Sequence, residues 1–493
     1  MTRFINSLTS CFLAFTLYLT VISCTKPTPE FNQNHNNITI DPYIDSLLTP
    51  IVNQIYQSYE LPGLVLGIVK EQEIVYSKAL GYKNLDTQEP LDINDIFHMA
   101  SVSKPFVASA VMQLVELGKV DLDTPVVHYL PYFSLQGEGS KDITIRQMLT
   151  HTSGMPDVED YQWDNPVYTE DALKNYVRSI SSEQLIGLPG ERFAYSNMAF
   201  ECLGAVIGKI SGVSFAEYQQ KHILEAAGMI ESTFLKPLHL PNEWAVPHNR
   251  MTISVPWHGY PYNRMHGPSS TLHSNVPEMC NWAITNMNRG VFRNNQVLKP
   301  ESYESLWHPW FEIDENSHVG LSWFLGSYRG ENTVGHSGGD IGFSTNFIMV
   351  PEKSIAVVVM CNQSAAPVEE ITNLALDIML GFDPAPPLVP ASIPVSQELY
   401  LNGLPTAVAL WDSLKSFHSE KFDFDPQHFS GLTVALYLDR IEEAESLARL
   451  CVNIFPEEVT NYLKDRTEAY LKVNPDNQSG AAIIQILEQE SPR

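Results

Sequence analysis

Apolar residues recur at helical spacing after Pro42, at Ile44, Leu47, Leu48 and Ile51, until Leu61-Pro62-Gly63 interrupts the run near Tyr59. Leu64 to Lys70 and Ile74 to Ala79 are instead short and dense in aliphatic residues, and a polar turn joins them. They predict a hairpin, closed by Gly81-Tyr82. Val107, Ala110, Val111 and Leu114 return to helical spacing, and Gly118 ends that helix. The long middle section, Asp121 to about Pro309, is rich in prolines, aromatics and loops, with a further helix carrying Cys202, Leu203, Val206 and Ile207. Strand patterns come back at Ser322 to Tyr328, Asn346 to Val350 and Ile355 to Cys361, the last two joined by Pro351-Glu352-Lys353. A helix with Ile371, Leu374, Ala375 and Ile378 on one face follows.

Strands at both ends and helices between them predict an α/β chain of the α+β type. One antiparallel sheet would be flanked by helices, with an all-α lobe beside it and a groove between the two. This domain spans residues 42–381. Residues 382–395 then hold Pro384, Pro386, Pro387, Pro390 and Pro394, a composition that predicts a stiff linker. Residues 396–493 are helical in pattern. Arg440 to Pro456 looks like the second half of a tetratricopeptide repeat, and Tyr470 to Pro475 echoes its ending. The interval between the two prolines is shorter than the ~34 residues of such arrays, so the tail reads as a small repeat-like bundle, either a stabilising appendix or a partner-binding module.

The first residues stand apart from the fold. Arg3 is followed by an almost unbroken apolar run from Cys11 to Ile22, too short to span a bilayer. Val21-Ile22-Ser23-Cys24 resembles a bacterial lipoprotein cleavage site, which implies a signal peptide over 1–23, lipidation of Cys24 and a flexible tether over 24–41. The expected location is therefore outside the cytoplasm, periplasmic or at the cell surface, with membrane contact only through that lipid. Net charge is −27, which argues against nucleic acid as a partner. The remaining cysteines, Cys202, Cys280, Cys361 and Cys451, are scattered, show no metal-ligand spacing and read as buried thiols, although a disulfide among them stays open.

Candidate chemistry starts at Ser101-Val102-Ser103-Lys104-Pro105. Pro105 suits a first helical turn, and residues three apart share a helix face, so Ser101 and Lys104 would point the same way. A serine hydroxyl becomes a nucleophile when a neighbouring base accepts its proton, and burial lowers a lysine pKa towards that task. Two more stretches follow in order: Tyr195-Ser196-Asn197, and His336-Ser337-Gly338-Gly339. Asn197 also suits a helix cap. His151, in Thr150-His151-Thr152-Ser153-Gly154, lies in turn-forming company and stays outside the catalytic set.

The ordered trio resembles the serine β-lactamase and penicillin-binding-protein-like hydrolases, in the branch of class C β-lactamases, DD-peptidases, esterases and D-aminopeptidases. Leu149 to Gly154, and Gly228-Met229 before Ser232-Thr233, belong to the same resemblance. It implies that Ser101 is the nucleophile, Lys104 its proton acceptor and Tyr195 a partner on the proton path. It implies an oxyanion hole from the backbone N–H groups of Ser101 and Gly339. Asn197, bonded to Lys104, would bind substrate together with His336, Ser337 and Gly338. No metal or organic cofactor is implied.

Two positions depart from the pattern. His336 stands where many β-lactamases carry lysine, so recognition of a substrate carboxylate would follow the titration of a histidine. Gly267-Pro268-Ser269-Ser270 stands where relatives often have paired glycines. The expected activity is hydrolysis of amides or esters through an acyl-enzyme, on cell-wall-type D-amino-acid peptides, small esters or β-lactams. The competing reading is a catalytically weak scaffold or sensor that holds wall fragments, or a protein partner on its helical tail.

Overall fold

The computed structural model describes residues 40–489. The leader, Cys24 and most of the tether lie outside the described residues. The hydrolase-like part begins with helix α1 (Pro42–Ser58), whose N-cap Asp41 accepts the Tyr43 and Ile44 N–H groups. A hairpin of β1 (Gly63–Lys70) and β2 (Glu73–Asn84) follows, with a short edge strand β3 (Glu89–Pro90).

The late strands are β4 (Phe311–Asp314), β5 (Ser317–Val319), β6 (Phe324–Tyr328), β7 (Glu331–Asp340), β8 (Phe343–Val350) and β9 (Ile355–Cys361). Together they form a nine-stranded antiparallel sheet in the order β4-β5-β6-β7-β8-β9-β1-β2-β3. The two ends of the domain meet where β1 pairs β9, from Leu64 opposite Cys361 to Lys70 opposite Ile355.

These two strands are apolar on both faces because both faces are covered. Leu64, Leu66 and Ile68 pack with Val357 and Val359 against Ile44, Leu48 and Val52 of α1 and Ile371, Leu374 and Ala375 of α5 (Val368–Leu380). Alternation along the strand sends Val65, Val69, Ala356, Val358 and Met360 into the larger core shared with the helical lobe. Gly67 lies on that face because a Cβ there would fall 2.6 Å from Val276 Cγ1 and 2.7 Å from Cys280 Sγ of α4 (Val276–Met287). The lobe is built on α2 (Lys104–Glu116) and α3 (Asn197–Ser211), both carrying long runs of buried residues. Cys202, Cys280, Cys361 and Cys451 are all buried free thiols.

Three boundaries differ from the sequence reading. β6 starts at Phe324, since Ser322 takes φ 72 and Trp323 turns into the core. The His336 motif, just ahead of the terminal hairpin, lies inside a strand of its own, β7, that the sequence reading did not predict. The linker is shorter than 382–395: Val389-Pro390 pairs in parallel with Phe422-Asp423, and α6 (Ser392–Asn402) begins before Pro394. A proline is tolerated in a first helical turn, where no i−4 carbonyl is displaced. The tail continues as α7 (Leu404–Phe417), α8 (Ser430–Tyr437), α9 (Ile441–Ile454), α10 (Glu457–Val473) and α11 (Gln478–Gln489). Its core of Trp411, Phe429, Leu447 and Phe455 takes in Met251 from the hydrolase-like part.

Candidate active site

The backbone turns sharply just before Ser101. Ala100 takes φ 49 and ψ −134, outside the regions a side chain favours, and Ser101–Ser103 form one tight turn leading into α2. The distortion is held from outside: Met99 N–H donates to Leu272 O at 2.8 Å, Thr345 Oγ1 donates to Met99 O at 3.0 Å, and Leu272 N–H donates to Ser103 Oγ at 2.8 Å. β7 runs directly alongside. A Cβ at Gly338 would fall 2.4 Å from Met99 O and 3.1 Å from the Ser101 nitrogen, whereas one at Gly339 would meet open space.

Lys104 is completely buried, and its Nζ bonds Ser101 Oγ at 2.8 Å and Ser269 O at 2.8 Å. Burial drives its pKa down to about 7, against the opposing pull of Glu201, Asp157 and Asp340. Burial raises the Tyr195 phenol above its usual range, opposed by the neighbouring Ser101 hydroxyl. Lys104 Nζ sits 4.9 Å from the Tyr195 ring centre. That ring stacks on His151 at 4.2 Å, and His151 Nδ1 accepts the Ser196 N–H at 3.1 Å. Both contacts make His151 a platform that orients Tyr195 and the start of α3.

The N-cap of α3 is Ser196, whose Oγ accepts the Ala199 N–H at 3.2 Å. Asn197 is therefore not the cap, nor does it bond Lys104 as the sequence reading expected. Its amide nitrogen donates to both carboxylate oxygens of Asp157, at 2.9 and 3.2 Å. His336 is also corrected. It is 3% exposed, lies between Phe324 and Tyr195 with ring centres at 5.0 and 6.4 Å, and is not a cation that titrates near neutrality. Burial, and then the charge of Lys104, bring it down to about 3. Ser337 and Gly339 lie exposed on the opposite alternation of β7.

Several residues join this centre that the sequence reading did not select. Glu201 is wholly buried on α3, accepts from Ser269 Oγ, and pairs with His266 Nδ1 at 3.2 Å. Burial raises its carboxyl, opposed by His266 and Ser269. Asp340 Oδ2 accepts from Ser270 Oγ at 2.6 Å and lies 3.1 Å from His98 Nε2. Gly267-Pro268-Ser269-Ser270 is thus a wall clamped between α3 and β7. One signal was readable: Glu201 is a lone charge in the apolar run Met198-Ala199-Phe200-Glu201-Cys202-Leu203, one turn beyond Asn197.

The arrangement puts a hydroxyl, an amine able to accept a proton near neutral pH and a protonated phenol around one point, beside a strand edge free of side chains at Gly338 and Gly339.

A family model described as Beta-lactamase matches residues 44–378. Among curated proteins, "Protein flp" of Staphylococcus aureus (strain MW2) is 26% identical over 332 residues, covering 66% of this chain and 64% of the relative. The chain thus spans a little under two thirds of that relative's length. "Penicillin-binding protein 4*" of Bacillus subtilis (strain 168) is 28% identical, covering 62% of this chain and 69% of the relative. Among solved structures, an octameric penicillin-binding protein homologue from Pyrococcus abyssi matches with a TM-score of 0.61 at 28% identity, over 68% of this chain and 77% of the other. EstCE1, a hydrolase with promiscuous acyltransferase activity, shares the fold with a TM-score of 0.58 at 18% identity, over 69% of this chain and 98% of its own.

Proposed function

The chain belongs to the Beta-lactamase family, matched over residues 44–378, and from that membership we propose that it is a serine hydrolase cleaving esters or amides through an acyl-enzyme on Ser101. The observation that supports this most is the buried Lys104 amine 2.8 Å from Ser101 Oγ, with its pKa brought to about 7. In its neutral form the amine accepts the Ser101 proton as Oγ attacks the carbonyl carbon. The oxyanion takes hydrogen bonds from the Ser101 and Gly339 N–H groups, each worth ~10²–10³ in rate where such donors have been removed. Collapse breaks the ester or amide bond, and the leaving alcohol or amine takes the proton from Lys104. Water then repeats the sequence on the acyl-enzyme. Tyr195 stays protonated beside the Ser101 hydroxyl throughout, steadying Oγ as charge moves.

The test uses the purified full chain and a neutral fluorophosphonate probe. Labelling is expected in the wild type and absent in Ser101→Ala, with ester turnover lowered by ~10³-fold or more. Labelling that survives the substitution removes Ser101 from the reaction. The reading extends to export and lipidation at Cys24, for which fatty-acid labelling that disappears in Cys24→Ala is the expected result.

A further inference from the structure

β7 presents alternate residues to the nucleophile. Gly338 lies against the Ser101 nitrogen, so His336 and Asp340, two residues away on either side, share its face. Both offer hydrogen-bond acceptors.

His336 Nδ1 lies 2.6 Å from Ser337 O. A carbonyl only accepts, so Nδ1 carries the hydrogen, and in the neutral ring Nε2 is left as a lone-pair acceptor. Nε2 is buried and has no partner among the described residues. Asp340 brings a carboxylate whose side chain is 12% exposed, fixed by Ser270 Oγ and by His98 Nε2. Asp157, tied to Asn197, and Glu201, tied to Ser269 and His266, are the other two carboxylates acting on Lys104. The same three act on Tyr161, which packs edge-on to His266 at 4.9 Å. The face therefore carries an acceptor on each side of Gly338, one of them the Asp340 carboxylate, and two further carboxylates act on the adjoining amine.

Resting on the serine-hydrolase reading above, we propose that Asp340 and His336 set substrate charge: the site selects acyl donors bearing a hydrogen-bond-donating or cationic nitrogen near the scissile carbonyl and rejects those bearing a carboxylate there. An ammonium or amide N–H completes His336 Nε2 and is attracted by Asp340. A carboxylate would set acceptor against acceptor at His336 and charge against like charge at Asp340. By this reading, peptides ending in a free carboxylate beside the scissile bond, and β-lactams with their ring carboxylate, are the poor substrates of the range that the fold would suggest. Amino-acyl esters and amides with a free amine are the good ones.

The experiment compares kcat/KM of the purified full chain on matched aryl esters that carry an ammonium, a neutral or a carboxylate group, placed first on the acyl chain and then on the leaving alcohol. The ammonium ester should exceed the carboxylate ester by roughly 10- to 100-fold at low salt, the size of effect one partly screened charge produces over about two strand residues. The ratio should shrink as salt is raised. In Asp340→Asn it should fall several-fold further towards one, and because it is taken within one protein, a general loss of activity cancels. The wild-type ratio and its salt dependence need no variant at all. Equal rates for the two charged esters, a preference for the carboxylate, or a ratio that Asp340→Asn leaves unchanged overturns the charge assignment while leaving the hydrolase intact. Absence of any Ser101-dependent turnover, with no fluorophosphonate labelling, overturns the hydrolase reading and this inference with it.

Discussion

Lys104 carries the clearest consequence at the scale of a single residue. Its amine must be neutral to accept a proton, and burial brings its pKa to about 7 from the model-compound 10.5. Below that value the protonated amine has no lone pair, so kcat/KM on a neutral ester should climb with pH and level off above about 7. The Tyr195 phenol, raised above 10, should not introduce a falling limb before that point. Rates measured from about pH 5 to about pH 9 check this, and a flat profile would take Lys104 out of the role of base. Tyr195→Phe removes the hydroxyl that steadies Oγ and should lower single-turnover acylation by about 10-fold; a loss of ~10²–10⁴ would instead put Tyr195 in the proton transfer itself. Ser101 and Lys104 were legible because three-residue spacing on a helix is a local property. Asp340 and His98 were not, since they are separated by more than two hundred residues and meet only in the folded chain. The neutrality of His336 was equally hidden: its cause is burial between Phe324 and Tyr195, which come from different parts of the chain.

Among the elements, β7 and α3 do most of the positioning. Asn197, Glu201 and Gly204 follow one another along one stripe of α3. They hold, in turn, the Asp157 loop, Ser269 with His266, and Pro268, whose Cγ would lie 2.1 Å from a Cβ at Gly204. That stripe sets where the Ser269 carbonyl meets Lys104. On β7 the two adjacent glycines differ in kind. Gly338→Ala forces a Cβ against backbone atoms of Met99 and Ser101 and should cost about 1–3 kcal/mol, seen as a lower Tm. Gly339→Ala points into open space and should leave stability within ~0.5 kcal/mol of wild type, seen as a nearly unchanged Tm. Equal losses in thermal melts would refute that contrast. The strand itself was hard to read because Gly335, Gly338 and Gly339 erase the β-branched signature that marked β9. The hairpin of β1 and β2 was easy for the opposite reason: its first strand is a dense aliphatic run and its turn is short. Pro390 and Pro394 misled, reading as linker where the chain had already begun to pair and coil.

For the molecule as a whole, the tail is docked rather than trailing. A Cβ at Gly431 of α8 would fall 2.3 Å from Met251 O, so this glycine permits a close approach between the tail and the hydrolase-like part. Gly431→Leu should loosen that contact and speed proteolytic nicking in the segment 382–388, while turnover of a small neutral ester stays near wild type. Unchanged nicking would mean that other contacts hold the tail. The meeting of the sheet's two halves was foreseeable from strands at both ends of the domain; the docking surface was not, because Met251 lies in a loop with no periodic signal.

The pairing of β1 with β9 has one more outcome. α1 leads into the first of these strands and α5 leaves the second, and both helices cover the same outer face of the sheet, with the nucleophile on the other. The start and finish of this domain are therefore neighbours on its back. A short peptide bridging them would permit circular permutation, with new termini opened at an exposed turn on that side and every strand retaining its partners.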